Sequence, residues 1–74
     1  MLQDLINRAI AEEDRGKAKW GQIDRTPVDV MIAIQEEIGE VAHAINHNEG
    51  ASVIQQEIAE SVGLLSRLYE MVGD

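Results

Sequence analysis

Met31, Ile34, Ile38, Val41 and Ile45 recur at alternating steps of three and four residues, the repeat of a single helical face. No other signal limits the fold as strongly. Leu2, Leu5, Ile6, Ala9 and Ile10 form a similar row near the start of the chain, and Ile54, Ile58, Leu65, Leu68 and Val72 form a third, with Ser61 at its middle position. No segment alternates at the period of two that a half-buried strand requires. The expected fold is all-α: one domain over residues 1–74, with the three apolar rows acting as packing seams.

Helix boundaries follow from local chemistry. The first helix is expected from about Leu2 to about Lys19. Its second half loses the apolar row and contains Gly16, so it is expected to fray before a loop over residues 20–25. Thr26 followed by Pro27 marks the second start: the hydroxyl can accept from a first-turn amide, and proline lacks only a hydrogen that would be unpaired there. Asp29 adds favourable negative charge to that turn. The helix should run to about His47, with Asn48 and Gly50 suited to ending it. Ser52 with Gln55 has the spacing of a capping box for a third helix reaching about Val72.

A chain of 74 residues buries only about 60% of the surface it exposes when unfolded. With no cysteine, neither disulfides nor a cysteine-held zinc can staple it. The expectation is therefore a three-helix protomer that completes a helical bundle by oligomerisation, as a homodimer or homotetramer. The first residues mix charge into their apolar positions, unlike a signal peptide, and no apolar run approaches the roughly 20 residues that cross a bilayer. These features suit a soluble cytoplasmic protein without a membrane partner.

Charge is unevenly distributed. Residues 1–25 hold five acids and five bases, whereas residues 26–74 hold nine acids and only Arg67, which accounts for the whole net charge of −8. Such a surface repels a phosphate backbone, so nucleic-acid binding is not expected. A bound cation is the better expectation.

Glu37 and Glu40 lie one turn apart beside the second seam, and Glu57 and Glu60 lie one turn apart beside the third. A short connection makes those helices antiparallel neighbours, so the two pairs can converge. Glutamates on a solvated face would be the ordinary alternative, yet no lysine or arginine stands four residues after any of these four. Carboxylates brought together away from water must bind a cation or take up protons. All-oxygen ligation suits Mg²⁺ or Mn²⁺ and, through open positions for phosphate oxygens and water, phosphoryl or pyrophosphoryl chemistry.

Lys17, Lys19 and Trp20 with Gly21 following, then the segment from Thr26 through Glu36, Glu37 and Glu40 to Ile45, then Glu57 and Glu60, together resemble the MazG-like all-α nucleoside triphosphate pyrophosphohydrolases. The resemblance spans about residues 15–68. It implies that Glu37, Glu40, Glu57 and Glu60 bind Mg²⁺, that Glu36 positions or deprotonates the attacking water, and that a nucleoside triphosphate is hydrolysed to the monophosphate and pyrophosphate.

Two departures stand out. Glu60 occupies a position where the family usually has aspartate, and the extra methylene carries its carboxylate further out. The chain also ends at Asp74, before the later helix whose basic residues many members use on phosphates. Such contacts then come from the first third of the chain, from a partner subunit, or not at all. Lys17, Lys19, Trp20, Arg25 and His43 are the candidate substrate-binding residues, with Trp20 able to stack on a base while the lysines meet phosphates. Arg15 is a weaker candidate, and Trp20 could equally anchor a helix end. Glu40 and His43 also have a ligand spacing of di-iron carboxylate bundles, although a complete site would need helices from a second chain. A degenerate, non-catalytic helical interaction module is the alternative function.

Overall fold

The computed structural model describes residues 2–20 and 25–73, with the side chains of residues 18–20 outside that description. Among the described residues there are three helices, α1 (Leu2–Trp20), α2 (Pro27–Asn46) and α3 (Ala51–Gly73), and no strand, an all-helical fold. Helix α1 packs against α3, and α2 packs against α3, but no Cα of α1 comes within 8 Å of one in α2 among the described residues. Helix α3 is thus a central spine. The radius of gyration, 12.6 Å, exceeds the about 11.3 Å expected of a compact chain of this length, as befits two helices leaning on a third instead of closing around a common core.

The start of α2 has the expected cap. Thr26 is extended, its hydroxyl accepts from the Asp29 amide at 3.2 Å, and the Asp29 carboxylate accepts from the Thr26 amide at 3.1 Å. These two bonds also hold the Asp29 carboxyl below its ordinary value. At the other end the Glu49 amide bonds the Ala44 carbonyl at 3.1 Å, while Asn48 (φ 52°) and Gly50 (φ 97°) take left-handed conformations that turn the chain back.

Three local expectations change. Helix α3 starts at Ala51, with the Ile54 amide bonded to the Gly50 carbonyl at 3.1 Å, so Ser52 lies inside the first turn and forms no capping box with Gln55. Gly50, already turned by the loop, occupies the cap position instead. Helix α1 continues unbroken through Gly16 to Trp20. Side-chain pairs one turn apart, including Asp4 with Arg8 (3.5 Å), Glu12 with Arg15 (3.0 Å) and Glu13 with Lys17 (3.7 Å), offset the weak propensity there. Trp20 therefore ends a helix and does not open the loop, whose residues 21–24 lie outside the described ones.

The largest change concerns which faces turn inward. On α2 the packed row is Val30, Ile34, Glu37, Val41 and Ala44, with Val30, Ile34 and Ala44 fully buried. Met31, Ile38 and Ile45 from the expected seam are 40%, 53% and 54% exposed. Ile34 and Val41 belong to both rows, so a rotation of about half a residue places Glu37 in the middle of the packed face. On α3, Ile58, Leu65 and Val72 are likewise exposed, and on α1 so are Leu2, Ile6 and Ile10.

Small residues explain the α1–α3 contact. Ala9 and Ala59 are buried, and a Cβ on Gly63 would stand 3.1 Å from the Ala9 carbonyl oxygen. Backbones this close bury alanine and glycine, so the large aliphatic side chains flank the contact. Among the described residues two large side chains, Ile34 and Val30, are almost completely buried, which contributes on the order of 3–6 kcal/mol.

Candidate functional site

The rotation of α2 creates the acidic centre. Glu37 and Glu40 project from one face of α2, Glu57 and Glu60 from one face of α3, and one carboxylate oxygen from each lies within 4.8 Å of the other three. Glu37, Glu57 and Glu60 are half-buried, whereas Glu40 is exposed. The packed row of α3 runs through Ile54, Glu57, Ser61, Leu64 and Leu68, so both helices bring a glutamate to their shared seam. Ser61, at the middle of that row, donates back to the Glu57 carbonyl at 3.0 Å and so adds no donor to the carboxylates.

Two of the carboxylate oxygens, Glu37 Oε2 and Glu57 Oε2, are shielded from solvent and accept no hydrogen bond. An ionised oxygen in that condition is strongly unfavourable. Burial first, then proton sharing with Glu60 and Glu57, then the charges of Glu40 and Glu60, push Glu37 up to about 8. Glu57 is also raised, chiefly by burial and then by proton sharing with Glu40. Without a cation the centre relieves its repulsion by holding protons.

These residues fit a hard divalent cation. Oxygens around an octahedral Mg²⁺ are about 3 Å apart when adjacent and about 4.2 Å when opposite, so a set confined within 4.8 Å would have to close on the ion by side-chain movement. The two shielded oxygens would gain the partner that they lack. No histidine joins the set, which argues against the di-iron arrangement.

Beside the centre lies an open cleft of about 380 Å³. Its floor is α3, through Glu60, Gly63, Leu64 and Arg67, with Glu12, Glu13 and Gly16 of α1 on one side and Glu37 of α2 with Arg25 on the other. The groove exists because α1 and α2 both rest on α3 with their backbones apart. Gln56 ties its acidic edge together, donating to Glu12 at 2.6 Å and to Glu60 at 3.4 Å.

The remaining candidates are placed less uniformly. Arg25 lines the cleft, as does Arg15, which pairs with Glu12 at 3.0 Å. Lys17 is exposed and pairs with Glu13. Glu36 is exposed and belongs neither to the four-carboxylate set nor to the cleft lining. Lys19 and Trp20 close α1, and their side chains fall outside the described residues. His43 does not border the cleft. It is exposed, lies 3.7 Å from Glu49 and has its ring centroid 4.1 Å from that of His47, because its position one turn beyond Glu40 brings it to the α2–α3 connection.

Sequence reasoning overlooked Glu12, Gln56 and Arg67. Only Arg67 had a usable signal, standing two turns after Glu60 on the same face of α3. No family model, curated protein or solved structure matches this chain.

Proposed function

We propose that this chain is a Mg²⁺-dependent nucleotide pyrophosphohydrolase of the house-cleaning type, with Mn²⁺ as an alternative ion, converting a nucleoside or deoxynucleoside triphosphate to the monophosphate and pyrophosphate. The observation that carries this reading is the convergence of Glu37, Glu40, Glu57 and Glu60, two of them with shielded oxygens and no donor, at the edge of a cleft that also holds guanidinium groups. Four ionised carboxylates carry twice the charge of one divalent ion, leaving room for a second cation or for one that arrives with the substrate. A bound cation would neutralise phosphate charge and lower the pKa of a coordinated water.

The chain's own residues have separable tasks in this scheme. The four glutamates bind and orient the cation. Gln56 holds Glu60 in place by the bond at 3.4 Å. Arg25 meets phosphate from the side of α2. Glu36 is the candidate to accept the proton of the attacking water, on the resemblance alone. Lys17, Lys19 and Trp20 at the end of α1 are the candidates for the remainder of the nucleotide.

Self-association belongs to the same proposal. Thirteen large apolar or aromatic side chains are exposed among the described residues, and Met31, Ile38 and Ile45 recur every second turn along one outward face of α2. A second copy packed on that row would complete the bundle. Cytoplasmic residence accords with the nucleotide substrate, and among the described residues no helix is long and apolar enough to cross a membrane.

The decisive experiment incubates the purified protein with a panel of ribo- and deoxynucleoside triphosphates plus Mg²⁺ or Mn²⁺ and measures pyrophosphate. Release from at least one substrate, abolished by chelation, is expected. No release from any of them counts against catalysis.

The exposed row on α2 also favours a second reading, a non-catalytic helical interaction module. Thermal melting separates the two. A metal-dependent site gains stability with Mg²⁺ concentration by mass action, whereas an interaction module without such a site shows no specific rise.

A further inference from the structure

We infer that Arg67 forms a phosphate-binding subsite in the cleft, gripping the part of a polyphosphate chain that the cation does not hold. This inference rests on the hydrolase reading above for its substrate class, but the observations behind it concern a different group.

Arg67 is the only base among residues 26–74. An arginine surrounded by so many acids would ordinarily be claimed by one of them, and Glu70 stands one turn away. Yet among the described residues Arg67 makes no hydrogen bond or ion pair, although it is half-buried and lines the cleft. Glu12 is engaged by Arg15 at 3.0 Å and by Gln56 at 2.6 Å, while Glu13 is only loosely paired with Lys17 at 3.7 Å, its Oε1 accepting no hydrogen bond. The cleft carboxylates left over, Glu37 and Glu60, belong to the cation set.

Helix geometry directs the side chain. Residues 60, 64 and 67 share one face of α3, and Arg67 is two turns, about 10 Å along the axis, beyond Glu60. Arg67 lines the same cleft as Leu64 and Glu60, and long helical side chains lean toward the helix N-terminus, a direction that here runs along the cleft toward Glu60. Gly63 beside it keeps the floor low. One end of the cleft thus offers carboxylates for a cation, and the other a planar fork of donors. A phosphoric anhydride chain has a matching pair of needs: oxygens for a metal and further oxygens for bidentate hydrogen bonds.

Inorganic tripolyphosphate tests the subsite without a nucleotide base. Calorimetric titration would compare wild type, Arg67→Gln and Arg67→Lys, each with and without Mg²⁺, alongside Mg²⁺ titration alone. Arg67→Gln is expected to weaken tripolyphosphate binding about tenfold or more while leaving Mg²⁺ affinity within about twofold. Arg67→Lys, which keeps the charge and loses the fork, should fall between. Where melting shows that Arg67→Gln is not folded, the lysine variant decides alone, through a severalfold loss.

Tripolyphosphate affinity unchanged by the substitutions, or no binding by the wild type under either condition, overturns the inference. A protein that ignores Mg²⁺ yet loses tripolyphosphate binding through Arg67→Gln retains the subsite and loses the metal-dependent hydrolase. Intact Mg²⁺ binding with arginine-independent tripolyphosphate binding removes the subsite and leaves the metal-dependent hydrolase standing.

Discussion

Gln56 of α3 donates to Glu12 of α1 across 2.6 Å, a hydrogen bond that joins side chains of two helices. The same amide nitrogen lies 3.4 Å from Glu60, so a single side chain couples the seating of α1 to the position of a carboxylate in the acidic centre. Replacing Gln56 with alanine leaves Glu12 without this donor. The expected loss is about 1–2 kcal/mol in urea denaturation, accompanied by weaker Mg²⁺ binding. Unchanged Mg²⁺ affinity would show that Glu60 needs no such support.

Gly63 makes the opposite kind of contact, valuable for what it omits. A Cβ there would lie 3.1 Å from the Ala9 carbonyl oxygen and 3.5 Å from the Glu13 amide nitrogen, both backbone atoms that cannot swing aside. Gly63→Val should force α1 away from α3 and destabilise the chain by about 1–3 kcal/mol. Gly39, with nothing within 4 Å of its Cβ position, serves as the control: Gly39→Ala should stabilise by up to about 1 kcal/mol. Denaturant midpoints of the two variants are expected to move in opposite directions.

The raised carboxyls give the metal-free protein an unusual pH profile. Glu37 moves from 4.5 to about 8 on folding, so the folded chain binds its proton more tightly than the unfolded chain does. Its contribution to stability is complete below about pH 4.5 and disappears as the pH rises through about 8. Glu57, shifted in the same direction, adds to the trend. In the presence of a chelator, the melting temperature is therefore expected to be higher at pH 5.5 than at pH 8.5, with Mg²⁺ recovering the difference at the higher pH. A profile rising over that range would contradict a proton-holding centre.

Substitutions within the cluster should separate fold from ligation by sign. Glu40→Gln or Glu57→Gln removes one of four mutually repelling carboxylates, so the metal-free protein at pH 8 is expected to melt higher than wild type. Mg²⁺ affinity should fall at least about tenfold. Scanning calorimetry with and without Mg²⁺ reads both effects in one series. A variant less stable in both conditions would instead assign that glutamate a packing role.

Much of the chain's local grammar can be read without coordinates. Thr26, Pro27 and Asp29 start α2 because their side chains and the missing proline hydrogen act on the adjacent turn, and Asn48 and Gly50 end it because they accept left-handed backbone. The pairing of Glu37 with Glu40, and of Glu57 with Glu60, is a property of helical period alone. A short connection between two such helices was enough to anticipate that the pairs meet.

Which side of each helix faces inward was beyond the reach of period. On α2 the bulkier row of Met31, Ile38 and Ile45 competes with the slimmer row of Val30, Glu37 and Ala44, and hydrophobicity favours the first. The tertiary structure selects the second, bringing a carboxylate into the seam with α3 and leaving the bulkier side chains outward. Only packing between helices could place Gly63 against Ala9, separate α1 from α2 and open the groove in which Arg67 lies. The sequence determined three helices and four acids in register; the direction those acids face depended on contacts between residues far apart in the chain.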